Sequence, residues 1–176
     1  LTEIEIPASV TTMSGAFRYC ESLTSITLNE GLETINDYAF ANLPVLQSLT
    51  IPDSVTSLGN HFIAEDLALT YLKFGGGVSS LTYEQTHLSR NRDSEPALET
   101  VVFGDGVESI GEYAFSRKVY GSGYYDWNNC SYPNLKNVLF SSTVKNIGDY
   151  SFAGLSALNN IDLSEIANIG NYAFQN

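Results

Sequence analysis

Apolar side chains recur along this chain in a fixed order that is neither a helical period nor a simple alternation. A leucine leads, and aliphatic or aromatic residues follow at the fourth and sixth positions, as in Leu98, Val101 and Phe103. Units of this form, L-x-x-I-x-I, begin at Leu1, Leu23, Leu46, Leu69, Leu98, Leu135 and Leu158, at intervals of 22, 23, 23, 29, 37 and 23 residues. Self-similarity at such a period predicts a stacked repeat architecture. In the unit led by Leu98, Val101 and Phe103 share one face of a short strand. Gly104-Asp105-Gly106 then turns the chain, and Val107 and Ile110 point inward along a second extended segment. Gly111 permits another turn, and Glu112 stands where Asp37, Asp149 and Asn171 stand in other units, a position suited to capping a helix. The spacing predicts that Tyr-Ala-Phe after it is a single helical turn, with Ala114 allowing close approach and Phe115 filling the core.

One such unit buries too little apolar surface to offset the entropy of ordering it. Stacking pairs each strand with its counterpart and buries both faces of each layer. Phe17, Phe40, Phe115, Phe152 and Phe174 are then expected to form one aromatic column, with Phe62 joining it one residue out of step. The chain reads as a single domain over residues 1–176, interrupted by insertions at about 82–97 and 116–134. Solenoids accommodate insertions because loop closure costs rise only logarithmically with length. Neither end carries a polar capping unit, so further repeats, a cap or another molecule are expected there, and the chain reads as a piece of a longer one.

The segments "LTEIEIPASVTTMSGAFRYC" and "LKNVLFSSTVKNIGDYSFAGL" resemble the leucine-rich repeats of BspA-like bacterial surface proteins, related to those of Treponema, and the likeness covers essentially the whole chain. The resemblance implies an α/β, right-handed leucine-rich-repeat solenoid of about seven coils, with strands on the concave face and short helical turns and extended segments elsewhere. It also implies an exported, bacterial, cell-surface or secreted protein that binds host or matrix proteins, as some members are reported to bind fibronectin or fibrinogen. A repeat scaffold by itself does not fix function.

Composition narrows the partners. Acidic residues number 20 against 8 basic ones, a net charge of −12, and no Lys/Arg patch breaks this surface. It repels phosphate backbones, which excludes nucleic acid and disfavours anionic membranes. No apolar run approaches the roughly 20 residues that span a bilayer. No catalytic motif, cofactor fingerprint or metal-ligand spacing is present, so the chain is expected to be non-enzymatic, without cofactor or metal. His61 replaces the template tyrosine and His87 stands alone; Glu65 with Asp66, and Asp93 with Glu95, are expected to be solvated. Glu30, Asp53 and Asp105 fall in tight turns. Cys20 fits a buried template position also held by Leu43 and Leu155, and Cys130 returns the long insertion to the same place. A disulfide between them would bridge four coils, about 19 Å at strand spacing, against about 7 Å for linked Cα atoms.

Two groups of residues are candidates for binding. Template positions three and five point away from the core, and in the middle of that lane Tyr71, Lys73, Val102 and Leu139 are more apolar than a surface needs. An apolar centre within a polar rim is a common interface pattern, although such residues on strands also simply pack with one another. The second group lies in the long insertion, where Tyr120, Tyr124, Tyr125, Trp127 and Tyr132 sit among Gly, Ser and Asn, a composition shared with recognition loops. The bland alternative is that these rings fold back over the coils. The expected function is protein recognition or adhesion, with a structural spacer or glycan binding through the Tyr/Trp loop as alternatives; the residues leave oligomeric state undetermined.

Overall fold

The computed structural model of the chain describes residues 1–88, 95–116 and 132–176. The units contribute leading strands β1 (Glu3–Ile6), β3 (Ser25–Leu28), β5 (Ser48–Thr50), β7 (Tyr71–Phe74), β9 (Thr100–Phe103), β11 (Asn137–Leu139) and β13 (Asn160–Ile161). Two-residue second strands follow: β2 (Thr12–Met13), β4 (Thr34–Ile35), β6 (Ser57–Leu58), β8 (Ser80–Leu81), β10 (Ser109–Ile110), β12 (Asn146–Ile147) and β14 (Asn168–Ile169). Each pairs in parallel with its counterpart in a neighbouring unit, which a chain can do only when a long connection separates the two strands. Inward residues lie in register: Leu49 beside Leu72, Val101, Val138 and Ile161. Every one but the last is buried.

Both ladders are interrupted, at different places. Leading strands form one group, β1 and β3, and a second running from β5 to β13; second strands group as β2, β4, β6 and as β8 to β14. Between β6 and β8 the cause is visible. Gly59 and Gly111 donate their N–H directly to Ile35 and Leu81 of the preceding units, at 2.6 and 2.7 Å. At the matching place Gln85 interposes its amide: Oε1 accepts the Thr82 N–H (2.9 Å) and Nε2 donates to the Leu58 carbonyl (2.8 Å).

The Tyr-Ala-Phe segments are turns, which corrects the expectation of a helix. Tyr38, His61, Tyr113, Tyr150 and Tyr172 each adopt a left-handed backbone with φ of 56–58°. Such a conformation costs a non-glycine residue roughly 1–2 kcal/mol. What it gains is orientation, because alternate N–H groups now face the following unit. Tyr38 and Phe40 donate to Asn60 and Phe62, Tyr113 and Phe115 to Asp149 and Ser151, and Tyr150 and Phe152 to Asn171 and Ala173. The turns therefore make a third line of bonds between units, beside the two sheets. The template carboxylates serve the same joint, not a helix cap: Asp37 accepts the Asn60 N–H and Asp149 that of Asn171, each at 2.7 Å. The rings of Tyr113, Tyr150 and Tyr172 stack at 4.9 and 5.0 Å. Among the described residues the one helix is α1 (Tyr83–Thr86), in the unit that lacks Ala-Phe.

Loss of Ala-Phe there also divides the aromatic column. Phe17 stacks on Phe40, and Phe115, Phe152 and Phe174 stack in series at 5.5 Å spacings. Strand residues fill the gap: Phe62 meets Phe74 edge-on, Phe74 stacks on Phe103 at 5.8 Å, and Phe103 meets Phe115.

Candidate binding surface

Two outward rows cross the leading sheet. Tyr71, Thr100, Asn137 and Asn160 lie side by side in one row, and Thr50, Lys73, Val102 and Leu139 in the other. The first row largely satisfies itself, since Asn137 Nδ2 donates to Thr100 Oγ1 (3.1 Å) and Asn160 Nδ2 to Asn137 Oδ1 (3.2 Å). The second has no such closure. Val102 is half-buried, Leu139 is 43% exposed, and Lys73 stands beside them half-buried. The other lysines of the described residues are paired, Lys136 with Glu99 at 3.1 Å and Lys145 with Glu165 at 2.9 Å, whereas Lys73 makes no salt bridge to a described residue. Acidic groups lie beyond this centre on both sides, Glu3 and Glu5 on β1 of the separate two-stranded sheet and Asp162 just after β13. Hydrogen bonds from Ser164 hold the Asp162 carboxyl below its ordinary pKa.

Tyr120, Tyr124, Tyr125, Trp127 and Cys130 lie outside the described residues, as do Asp93 and the arginines at 90, 92 and 117. Tyr132 is described, and it is a core residue instead of a surface anchor. It is fully buried, its ring packs on Phe115 at 5.5 Å, and its hydroxyl donates to the Thr86 carbonyl and accepts the Leu88 N–H at 3.2 Å. Backbone bonding shows which template slot it fills. The leading leucines 23, 46, 69, 135 and 158 donate their N–H to Cys20, Leu43, Asp66, Tyr132 and Leu155, each three residues earlier. The slot before Leu135 is thus Tyr132, and not Cys130 as the spacing suggested. Its side chain ties the return of the second insertion to the end of α1 and Leu88 in the preceding unit.

The same slot holds Asp66, which is buried rather than solvated; Glu65 beside it is half-buried. Glu30 and Asp53, expected in tight turns, accept backbone N–H groups from the next unit: Glu30 from Asp53 and Ser54, Asp53 from Gly76. His61 and His87 pack ring to ring at 6.1 Å, with Tyr38 on one side and Tyr83 on the other. Among the described residues no group of three or more His, Cys, Asp or Glu side chains is placed to hold a metal ion, and Cys20 is a free, half-buried thiol. No helix among them is long and apolar enough to cross a membrane.

Parallel strands at repeat spacing, inward leucines and a turn of fixed backbone define a repeat family, and comparison with known families identifies it. Residues 1–120 and 123–176 match the BspA type leucine-rich repeat region, in six copies. The chain belongs to the BspA-type leucine-rich repeat family. Among solved structures, a leucine-rich repeat protein from Eubacterium ventriosum superposes with a TM-score of 0.75 at 26% identity, over 99% of this chain and 42% of that one. A leucine-rich cell surface protein from Faecalibacterium prausnitzii matches at 25% identity over 99% of this chain and 51% of its own, with a TM-score of 0.43. The pneumococcal vaccine antigen PcpA matches at 23% identity over 97% and 47%, with a TM-score of 0.41. With scores below 0.5, neither of these two bears on the fold. The chain spans about half the length, or less, of these three proteins. No curated protein matches it.

Proposed function

We propose that this BspA-type chain is a non-enzymatic recognition module displayed at a bacterial cell surface, and that the outward face of its leading sheet, centred on Tyr71, Lys73, Val102 and Leu139, receives a host or matrix protein. The observation that carries this reading is the second outward row. Val102 and Leu139 present aliphatic surface in register beside a lysine that pairs with no described carboxylate, and self-satisfied asparagines and threonine adjoin them. Apolar centre and polar rim are the arrangement expected of a transient protein interface. A cell-surface setting is supported by membership of the BspA-type family.

The test is binding to immobilised fibronectin and fibrinogen by the wild-type chain and by Leu139→Glu. A charge at the centre of a desolvated patch removes about 2 kcal/mol or more of binding energy, so affinity is expected to fall at least about thirtyfold while the thermal midpoint holds. Equal binding by both chains would transfer recognition to another surface. Absence of binding by the wild type to either protein would remove the matrix-protein reading.

A further inference from the structure

Asp66 stands where this fold puts a leucine. The Leu69 N–H donates to its carbonyl, as the Leu46 and Leu158 N–H groups do to Leu43 and Leu155. Its side chain is fully buried, Oδ1 accepts the Leu43 N–H of the preceding unit at 2.7 Å, and Oδ2 is buried with no hydrogen-bond partner. A carboxylate needs all its acceptor sites filled to remain charged out of water. The titratable groups on the corresponding turns are Asp37 and Tyr38 in the preceding unit, His61 and Glu65 in its own, and Tyr83, Glu84 and His87 in the next. Of these, Glu65 is the charge that bears on it, and it is repulsive.

The surroundings make this a joint. The unit led by Leu46 lacks leading-strand pairing to the unit before it, between β3 and β5, and second-strand pairing to the unit after it, between β6 and β8. Toward its predecessor it is held by β4 and β6 and by the outer turns, where Phe40 and Asn42 donate to Phe62 and Ala64. The Asp66 contact to Leu43 adds a buried side chain to that set, beside the exposed Asp37 carboxylate that accepts the Asn60 N–H. No other described unit lacks a ladder on each side.

We propose that Asp66 is a proton-operated clasp at this junction: neutral, it closes the outer turns of the units led by Leu23 and Leu46; ionised, its second oxygen draws water into the layer and loosens them. Burial in the apolar layer, opposed by the N–H of Leu43 and reinforced by Glu65, pushes the carboxyl up to about 8. The folded-state value lies above the ordinary one, so the stabilisation is fully present below about pH 4 and is lost as pH rises toward about 8. The solenoid is thus tightest in mild acid and looser there at slightly alkaline pH.

The experiment compares the full chain with Asp66→Asn, which mimics the protonated side chain. Between about pH 5 and about pH 9 the wild-type thermal midpoint is expected to fall by at least about 5 °C more than that of Asp66→Asn. Parallel curves for the two chains would overturn the clasp. A second readout needs no variant: the opening constant of the Leu43 amide, from hydrogen exchange corrected for intrinsic base catalysis, should rise about tenfold or more over the same range. An opening constant that stays flat would overturn it as well, even if Asp66→Asn failed to fold.

Discussion

Replacing Tyr132 by phenylalanine is expected to destabilise the chain by about 2–4 kcal/mol, although only one oxygen is removed. The ring would stay on Phe115, so little apolar burial changes. What is lost is the shared hydroxyl between the Thr86 carbonyl and the Leu88 N–H, and both residues are fully buried. A buried backbone group left without a partner costs about 1–3 kcal/mol, and here two are orphaned at once. For a chain of this size the thermal midpoint should drop by on the order of 10 °C. Denaturant unfolding of the two chains measures the effect directly. A loss below about 0.5 kcal/mol would mean that water replaces the phenol and that the two insertions are not tied together through the core.

The second large effect is expected at Gly76. In the three-glycine corner after β7, a Cβ on Gly76 would lie 1.6 Å from the Asp105 carbonyl oxygen, and one on Gly106 would lie 2.1 Å from the Gly76 oxygen. The corners of two successive units interlock backbone to backbone, so no side chain is available to swing aside. Gly76→Ala should therefore cost about 3 kcal/mol or more by forcing the units apart. Gly15 supplies the contrast, because a Cβ there meets nothing within 4 Å and only its φ of +35° is at issue. Equal losses at the two positions in denaturant unfolding would show that backbone conformation, and not the stacking distance between units, makes these corners glycine-rich.

The sheets were readable in the residues because they rest on local alternation. Leu46 and Leu135, far apart in sequence, occupy the same buried position, and Leu139 points outward while Val138 points inward, as the template requires. The turns were not readable in the same way. Tyr-Ala-Phe has ordinary helical propensity, and the left-handed tyrosine shows its role only in hydrogen bonds to residues about 22 or 36 positions later. No short window contains that information. Asp66 and Tyr132 differ again, because counting three residues back from Leu69 and Leu135 finds them both. Their chemistry misled: an acid next to another acid reads as solvated, and a tyrosine at the end of an aromatic loop reads as part of it. The slot, more than the residue type, decides burial here. The binding lane was legible as an apolar interruption in a polar row; its division into a self-bonded row and an open one depends on side-chain partners across strands.

The account rests on units stacked in register, across the long insertion as elsewhere. Thr100 and Asn137 are strand partners whose side chains touch, although 37 residues separate them. With both native cysteines replaced, Thr100→Cys with Asn137→Cys should oxidise to an internal disulfide in the folded chain, since neighbouring strands lie about 4.8 Å apart, within disulfide reach. Thr100→Cys with Asn160→Cys, two strands apart at about 9.6 Å, should not. Crosslinking of the first pair alone is the predicted result; equal crosslinking of both pairs, or of neither, would contradict it.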